Sequence, residues 1–246
     1  MRNVVLGLCL CISSTAFGRQ VLASFGDSIT RGFNAKKIGE NTAYNWASGN
    51  EISSYWESLF PSHGDRAYNL AVVGATSGVV KLELLALSEI PTHATLLIGA
   101  NDACYNLPLE DTLSNIKDVI QSLYSRNKDV ILTVSPVPRI SSIYYAKKNE
   151  LWCRTVWAVS GICAGFLSPF ISDELRNDNQ YKLDMFNLSL EEYVNEVNAK
   201  EEHPRIHFNP AIGIGDLFSS DVSDIDCFHP SVAGQQRLSD LATILE

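Results

Sequence analysis

The chain has 246 residues, a length that allows one compact domain or at most two. Hydrophobic residues make up 46% of it and charged residues 19%, which excludes an intrinsically disordered, collagen-like or coiled-coil protein. The formal net charge of −9 repels a phosphate backbone and no segment rich in Lys or Arg offsets it, so we expect no nucleic-acid partner.

The first 18 residues have the three-part pattern of a secretory signal peptide. Arg2 supplies a positive charge, Val4–Ile12 is apolar, and small residues follow up to Gly18. The apolar part is shorter than the roughly 20 residues needed to cross a membrane. We therefore predict a cleaved signal over residues 1–18, a secreted or periplasmic protein, and one domain over residues 19–246. The alternative for the first segment is a core strand or helix.

Four cysteines lie outside the predicted signal, and in an oxidising compartment they could form one or two disulfides. Three pairings are possible when all four are used, and the sequence does not choose among them. Their spacing matches no zinc site, and an exported free thiol tends to oxidise, which disfavours a cysteine nucleophile. The four are Cys104, Cys153, Cys163 and Cys227.

Short apolar runs of strand length alternate with helical patterns along the chain. Between the third and fourth runs, apolar residues from Leu113 to Leu123 recur every three or four positions, which predicts an amphipathic helix. Strands that alternate with helices favour right-handed crossovers and a parallel sheet covered on both faces. The predicted strands are Val21–Phe25, Tyr68–Val73, Thr95–Ile98, Val130–Val134 and Ile206–Asn209.

The long segment between the fourth and fifth strands, residues 141–200, is expected to hold helices that cap one end of the sheet. Within it, Thr155–Ser172 carries no formal charge, and two glycines and Pro169 interrupt it. These interruptions disfavour a membrane helix and indicate a buried helix with a loop, with an acyl-binding wall as the alternative. Apolar residues between Val232 and Ile244 predict a closing helix.

Polar residues follow three of the predicted strands at their carboxyl ends, where open parallel sheets bind their ligands. A fourth polar group precedes the closing helix. Each group alone has a structural interpretation, since Asp, Ser and Asn also cap helices and form turns. Their joint occurrence in this order favours chemistry instead. The groups are Gly26–Thr30, Val73–Thr76, Gly99–Asp102 and Asp226–Pro230.

Three of these residues have the chemistry of a nucleophile and its base. A serine is a poor nucleophile unless a neighbouring base takes its proton, and His229 is the candidate base for Ser28. The other ring nitrogen of the histidine needs an acceptor, which Asp226 supplies from three residues earlier. Negative charge on the substrate oxygen needs fixed donors, and the candidates are the Ser28 N–H, the Gly74 N–H and the Asn101 side-chain amide.

The four groups together resemble the signature blocks of the GDSL, or SGNH, hydrolase family. The resemblance implies an α/β fold, a flavodoxin-like three-layer α/β/α sandwich with a five-stranded parallel sheet. It also implies a structural role for Asp27, which would anchor the nucleophile turn. The implied catalytic triad is Ser28, Asp226 and His229, and the implied oxyanion hole is formed by Ser28, Gly74 and Asn101.

Three segments are similar to the phospholipase-B-like branch of that family: Arg31–Asn34, Tyr44–Gly49 and Gly99–Cys104. From this similarity and the uncharged stretch we predict a secreted serine ester hydrolase that cleaves lipid or lysophospholipid acyl esters through an acyl-enzyme. Transient contact with a membrane surface would accompany such a substrate. The alternatives are a carbohydrate acetylesterase and a non-catalytic binding protein on the same fold.

Other classes of active site have little support in the sequence. No Gly-x-Ser-x-Gly pentapeptide is present, which disfavours an ordinary α/β-hydrolase. His203 and His207 are four residues apart, but Pro204 between them argues against a shared helix face and a metal site. No phosphate-binding or complete dinucleotide motif occurs. We therefore expect neither a metal nor another cofactor.

Overall fold

The computed structural model describes residues 19–60, 66–200 and 205–243. The predicted signal over residues 1–18 and Ile244 of the predicted closing helix lie outside these ranges. Five strands form one sheet in the order β2-β1-β3-β4-β5, and every neighbouring pair is parallel. The strands are β1 Val21–Gly26, β2 Arg66–Asn69, β3 His93–Leu97, β4 Ile131–Ser135 and β5 Ile206–Phe208.

Helices connect these strands, and short 3₁₀ turns occur at Thr42–Tyr44, Leu84–Ala86 and Ser219–Asp221. Between β1 and β4 the helices are α1 Tyr55–Leu59, α2 Ser77–Glu83, α3 Ala100–Cys104 and α4 Leu109–Arg126. After β4 they are α5 Ile140–Lys147, α6 Leu151–Ser160, α7 Ala164–Leu167, α8 Asp173–Asn198, α9 Ala211–Ile214 and α10 Val232–Thr243.

The helices cover both faces of the sheet. Strand β2 lies on one side of β1, and β3, β4 and β5 follow in order on the other side. Right-handed crossovers in these two directions place the connecting helices on opposite faces of the sheet. Accordingly α1 packs against α10, whereas α2 and α8 pack against α4. All residues of β1 and β3 are buried, as expected for central strands covered on both sides. The structure confirms the predicted three-layer α/β/α sandwich with a five-stranded parallel sheet.

The amphipathic pattern found in the sequence forms α4. Its apolar positions Ile116, Val119, Ile120 and Leu123 are buried, and acidic residues occupy its first turn. Negative charge there is favourable because the free N–H groups make the start of a helix electropositive. The predicted helix is therefore confirmed.

Four predicted strands agree with the structure to within two residues, but the second prediction, Tyr68–Val73, is wrong at its end. Strand β2 stops at Asn69, whose side-chain oxygen accepts the Ala71 N–H at 3.2 Å. Its side-chain amide donates to the Thr30 carbonyl at 2.7 Å. This local turn ends the strand, and the apolar residues Val72 and Val73 lie exposed beyond it.

The segment after β4 differs in part from its prediction. Helix α8 runs beside α4 and contacts β5, so it belongs to one layer of the sandwich instead of capping one end of the sheet. Helix α6 is only partly buried: Cys153 and Trp157 face the core, while Val159 is 84% exposed. The expected buried helix is therefore wrong for most of α6. Among the helices of the described ranges, none has the length and apolar character needed to cross a bilayer.

Two disulfides connect this segment to other parts of the fold. Cys163, just before α7, pairs with Cys104 at the end of α3. Cys153 of α6 pairs with Cys227 in the loop before α10. The structure thus selects one of the three pairings that the sequence left open.

Candidate active site

The turn after β1 presents Ser28 at the carboxyl end of an inner strand. Gly26 has φ +150°, and a Cβ there would lie 2.3 Å from the Leu97 carbonyl oxygen, so only glycine fits. The Asp27 side chain accepts the Ile29 N–H at 2.9 Å, which agrees with the anchoring role expected for it. These contacts fix the backbone around Ser28.

Ser28, His229 and Asp226 lie in one hydrogen-bonded row. The Ser28 hydroxyl is 2.8 Å from Nε2 of His229, and Nδ1 of that ring is 2.6 Å from Oδ2 of Asp226. The rings of Phe33 and Phe228 contact the imidazole edge-on, with centroids 5.1 and 4.9 Å away. These contacts restrict rotation of the ring about its side-chain bonds.

The row is largely shielded from solvent. Ser28 is 4% exposed and His229 is 7% exposed, so little of either residue contacts solvent. In such a poorly hydrated site, hydrogen bonds between charged or polar groups are stronger than in water.

Asp226 is held by its neighbours in the ionised state. Burial alone would raise the pKa of this carboxyl, but hydrogen bonds from His229 and Asn34 and the charge of His229 bring the pKa below its usual value. The second oxygen, Oδ1, accepts the N–H groups of Phe228 at 3.0 Å and His229 at 3.1 Å. Cys227, between Asp226 and Phe228, adopts φ +56°, which turns the chain so that both amides face the carboxylate.

The three oxyanion candidates follow β1, β2 and β3, which are neighbours in the sheet. Gly74 is exposed and has φ +79°, a conformation that glycine adopts without strain. The Asn101 side-chain amide donates to the Ala75 carbonyl at 2.9 Å, which joins α3 to the loop that carries Gly74. Within the described ranges, neither the Ser28 N–H nor the Gly74 N–H has a hydrogen-bond acceptor. Both amides are thus available as donors.

A buried carboxyl behind the nucleophile turn was not found from the sequence. Glu83, at the end of α2, accepts the Gly26 N–H at 3.0 Å. Burial and the nearby Asp27 raise its pKa to about 8, and burial raises the pKa of Asp27 to about 7. The sequence does not indicate that this carboxyl is buried, because a glutamate in an amphipathic helix is normally exposed to solvent.

Two asparagines are also more important than their sequence context indicates. Asn34, two residues after a glycine in the nucleophile loop, donates to Asp226 at 2.6 Å. Asn187 belongs to an Asn-Leu-Ser glycosylation motif, yet it is buried. Its side chain bonds both the N–H and the carbonyl of Val137 at 2.9 Å. In the folded protein Asn187 therefore fixes the loop after β4 and is not available as a glycan acceptor.

The arrangement can activate an alcohol by proton transfer. A neutral imidazole at 2.8 Å can take the proton of Ser28 as the oxygen attacks, while the Asp226 carboxylate stabilises the imidazolium that forms. In the part of the chain that the structure describes, no group of three or more His, Cys, Asp or Glu side chains is placed to hold a metal ion.

Solved structures with the same fold include several hydrolases. A lipolytic protein of the G-D-S-L family from Desulfitobacterium hafniense has a TM-score of 0.57 and 14% identity, over 93% of this chain and 100% of that one. Esterase EstA from a Pseudoalteromonas species has a TM-score of 0.53 and 15% identity, over 90% and 93% of the two chains. A family two carbohydrate esterase from Clostridium thermocellum has a TM-score of 0.57 and 12% identity, over 91% and 62%. At these identities the likeness shows a shared fold.

Sequence comparison gives the family. No curated protein sequence matches the chain significantly. The family model described as GDSL-like Lipase/Acylhydrolase matches residues 22–242, which include all five strands except the first residue of β1, and all the site residues above. The chain therefore belongs to the GDSL-like lipase/acylhydrolase family.

Proposed function

We propose that the protein is a carboxylic ester hydrolase in which Ser28 is the nucleophile, His229 the general base and acid, and Asp226 the residue that orients the base. The observation that carries this proposal is the hydrogen-bonded row, with 2.8 Å from Ser28 to His229 and 2.6 Å from His229 to Asp226. Membership of an acylhydrolase family supports the same chemistry.

The reaction follows from the positions of these groups. Ser28 Oγ attacks the ester carbonyl as His229 Nε2 takes its proton, and the negative charge passes to the carbonyl oxygen. The Ser28 and Gly74 N–H groups and the Asn101 amide would stabilise that charge. Collapse of the intermediate breaks the ester C–O bond, and the imidazolium protonates the leaving alcohol. Water, activated by the same imidazole, then cleaves the acyl-enzyme and releases the acid.

Hydrolysis of p-nitrophenyl esters by matched serine variants tests this mechanism. Ser28→Ala should lose nearly all activity, whereas Ser24→Ala should keep it. Ser24 is the matched control because it is fully buried on β1, four residues before the nucleophile, and lies outside the hydrogen-bonded row. Hydrolysis that persists in Ser28→Ala would reject the nucleophile.

For the substrate we propose lipid or lysophospholipid acyl esters, with transient contact to a membrane surface. The support is the exposure of two apolar side chains in the segment after β4: Val159 and Phe170 are more than 80% exposed. Helix α6, which carries Val159, is tied to the catalytic loop because the Trp157 indole N–H donates to the Cys227 carbonyl at 2.9 Å. Co-sedimentation with phosphatidylcholine vesicles, lost in a Val159→Ser/Phe170→Ser variant, would support the contact.

A short acyl ester, such as an acetylated carbohydrate, is the second candidate, and one observation favours it. A cavity of about 40 Å³ lies against His229 and is lined by Ile29, Ala100, Val137 and Phe228 among others. Since one water needs roughly 10–15 Å³ of such space, the cavity has room for a group the size of a short acyl chain, about two to four carbons. The shared fold with a carbohydrate esterase is compatible with this candidate.

Acyl chain length separates the two candidates. Esters from acetate to palmitate should be compared by kcat/KM for the wild type and for Val137→Ala, which enlarges the cavity. A profile that rises towards long chains supports the lipid substrate. Activity that peaks at acetate and vanishes for longer chains would reject it, and a shift of that peak to longer chains in Val137→Ala would show that the acyl group occupies the cavity.

We also propose export, with residues 1–18 removed as a signal and residues 19–246 retained. Two disulfides support it, since such bonds persist in oxidising compartments and are rare in the cytosol. The intact mass of protein recovered from the culture medium or periplasm, after expression of the full chain, tests both the cleavage and the location.

A further inference from the structure

We propose that Asn34 is a positioning residue that holds the Asp226 carboxylate in the plane required to orient His229. This role rests on the proposed function, because it concerns the geometry of the same catalytic row. Asn34 lies 192 residues before Asp226 in the chain, in the loop after the nucleophile turn, and it is buried.

The side chain of Asn34 has one possible orientation. Its Nδ2 is 2.6 Å from Oδ2 of Asp226, and its Oδ1 accepts the Gly39 N–H at 2.8 Å. A carboxylate only accepts hydrogen bonds and a backbone N–H only donates, so exchanging the amide oxygen and nitrogen would break both contacts. The amide therefore presents a donor to the carboxylate.

The backbone around Asn34 is fixed as well. Asn34 has φ +55°, a left-handed conformation that Asn adopts more readily than most residues. Its carbonyl accepts the Ser223 hydroxyl at 2.6 Å, which joins this loop to the segment just before Asp226. Two hydrogen bonds, this one and the bond from the Asn34 amide to Asp226, therefore join the Asn34 loop to the segment that carries the carboxylate.

With Asn34 in place, every acceptor position of the Asp226 carboxylate is used. Oδ1 accepts the N–H groups of Phe228 and His229, and Oδ2 accepts Asn34 Nδ2 and His229 Nδ1. Four donors on two oxygens prevent rotation of the carboxylate. Without Asn34, Oδ2 would keep only the imidazole, and the two backbone donors on Oδ1 would leave the carboxylate able to pivot about that oxygen.

Two substitutions distinguish a role of the Asn34 side chain in positioning Asp226 from a role in the structure of its own loop. Asn34→Asp keeps the size of the side chain and the acceptor for Gly39 N–H, but at about pH 8 it replaces the donor by a second carboxylate facing Asp226. Asn34→Gly removes both contacts and keeps a residue suited to φ +55°. The matched control is Asn106→Gly, at another asparagine with φ +55°, in the exposed loop between α3 and α4.

The variants should be compared by kcat and KM for a p-nitrophenyl ester, with thermal unfolding to check the fold. A hydrogen bond to a charged group corresponds to a factor of roughly 10–100. We therefore expect kcat to fall by about that factor in Asn34→Asp and Asn34→Gly, with KM within about twofold of the wild type. Asn106→Gly should match the wild type. The downfield ¹H NMR signal of the His229 Nδ1–H should shift or broaden in Asn34→Asp.

The outcomes distinguish the two proposals. Hydrolysis that depends on Ser28 but is unchanged in kcat by Asn34→Asp, with an unchanged His229 signal, would overturn the role of Asn34 alone. A loss in Asn34→Gly that Asn34→Asp restores would show a loop-structural role and also overturn positioning. Hydrolysis that survives Ser28→Ala would overturn the proposed function itself.

Discussion

Glu83 makes a specific prediction about how stability depends on pH. Its side chain is 3% exposed, Oε2 accepts the Gly26 N–H, and Oε1 has no hydrogen-bond partner among the described residues. Burial, with a smaller contribution from Asp27, raises the pKa of Glu83 from 4.5 to about 8. The folded protein therefore binds this proton more tightly than the unfolded chain does.

The sign and size of the effect follow from that difference. Between pH 4.5 and about 8 the folded state holds more protons than the unfolded state, so the free energy of unfolding falls as the pH rises through this range. At about 1.4 kcal/mol per pKa unit, the ionisation of Glu83 removes up to roughly 5 kcal/mol. Asp27, with its pKa raised to about 7, acts in the same direction over a lower range.

Glu83→Gln removes the ionisation and keeps an oxygen to accept the Gly26 N–H. Urea unfolding between pH 5 and pH 9 should show a markedly weaker fall in stability for this variant than for the wild type. Glu192→Gln, at an exposed position of α8, is the matched control and should follow the wild-type curve. Parallel pH curves for wild type and Glu83→Gln would refute the buried-carboxyl argument, whatever the absolute stability of the variant.

Three further substitutions test the surroundings of the site. Asn101→Ala should reduce kcat by about 10²–10³ with little change in KM, as expected for loss of one oxyanion donor, and an unchanged kcat would remove Asn101 from that role. In Gly74→Ala the added Cβ meets no other atom within 4 Å, but the residue would have to keep φ +79°. A fall in kcat, measured beside thermal unfolding, would therefore show that the backbone conformation of this loop matters for activity. Removing the Cys153–Cys227 disulfide by a double alanine substitution should cost about 2–5 kcal/mol by urea unfolding. It should also lower kcat more than removing the other disulfide, since Cys227 lies between Asp226 and His229; equal effects of the two would contradict this.

The layers of the fold were predictable because they depend on local patterns, whereas the candidate row was proposed from short motifs and their order, with Ser28 and His229 201 positions apart. Apolar runs of strand length and the spacing of α4 determine the layers, and Asp226 and His229 are close in the chain. The end of β2 was wrong because Val72 and Val73 are apolar yet exposed, and the turn that ends the strand depends on the side-chain contacts of Asn69. A run of apolar residues does not indicate where side-chain hydrogen bonds will end a strand.

What could not be predicted depends on contacts between distant residues. The hydrogen bond from Asn34 to Asp226 spans 192 positions, and that from the Gly26 N–H to Glu83 spans 57. Neither residue lies in a local pattern that indicates its partner. The disulfide pairing also depends on distant contacts. Which cysteines pair is decided only when the folded chain brings α3 near Cys163 and α6 near Cys227.

Labelling with a fluorophosphonate tests whether Ser28 is a nucleophile activated by His229. The reagent loses fluoride when an activated serine oxygen attacks its phosphorus, so the site of the new O–P bond identifies the nucleophile. We expect one label per chain by intact mass, located on Ser28 by peptide mapping, absent in Ser28→Ala and strongly slowed in His229→Ala. A label on another residue, or labelling of Ser28 at the wild-type rate without His229, would contradict this expectation.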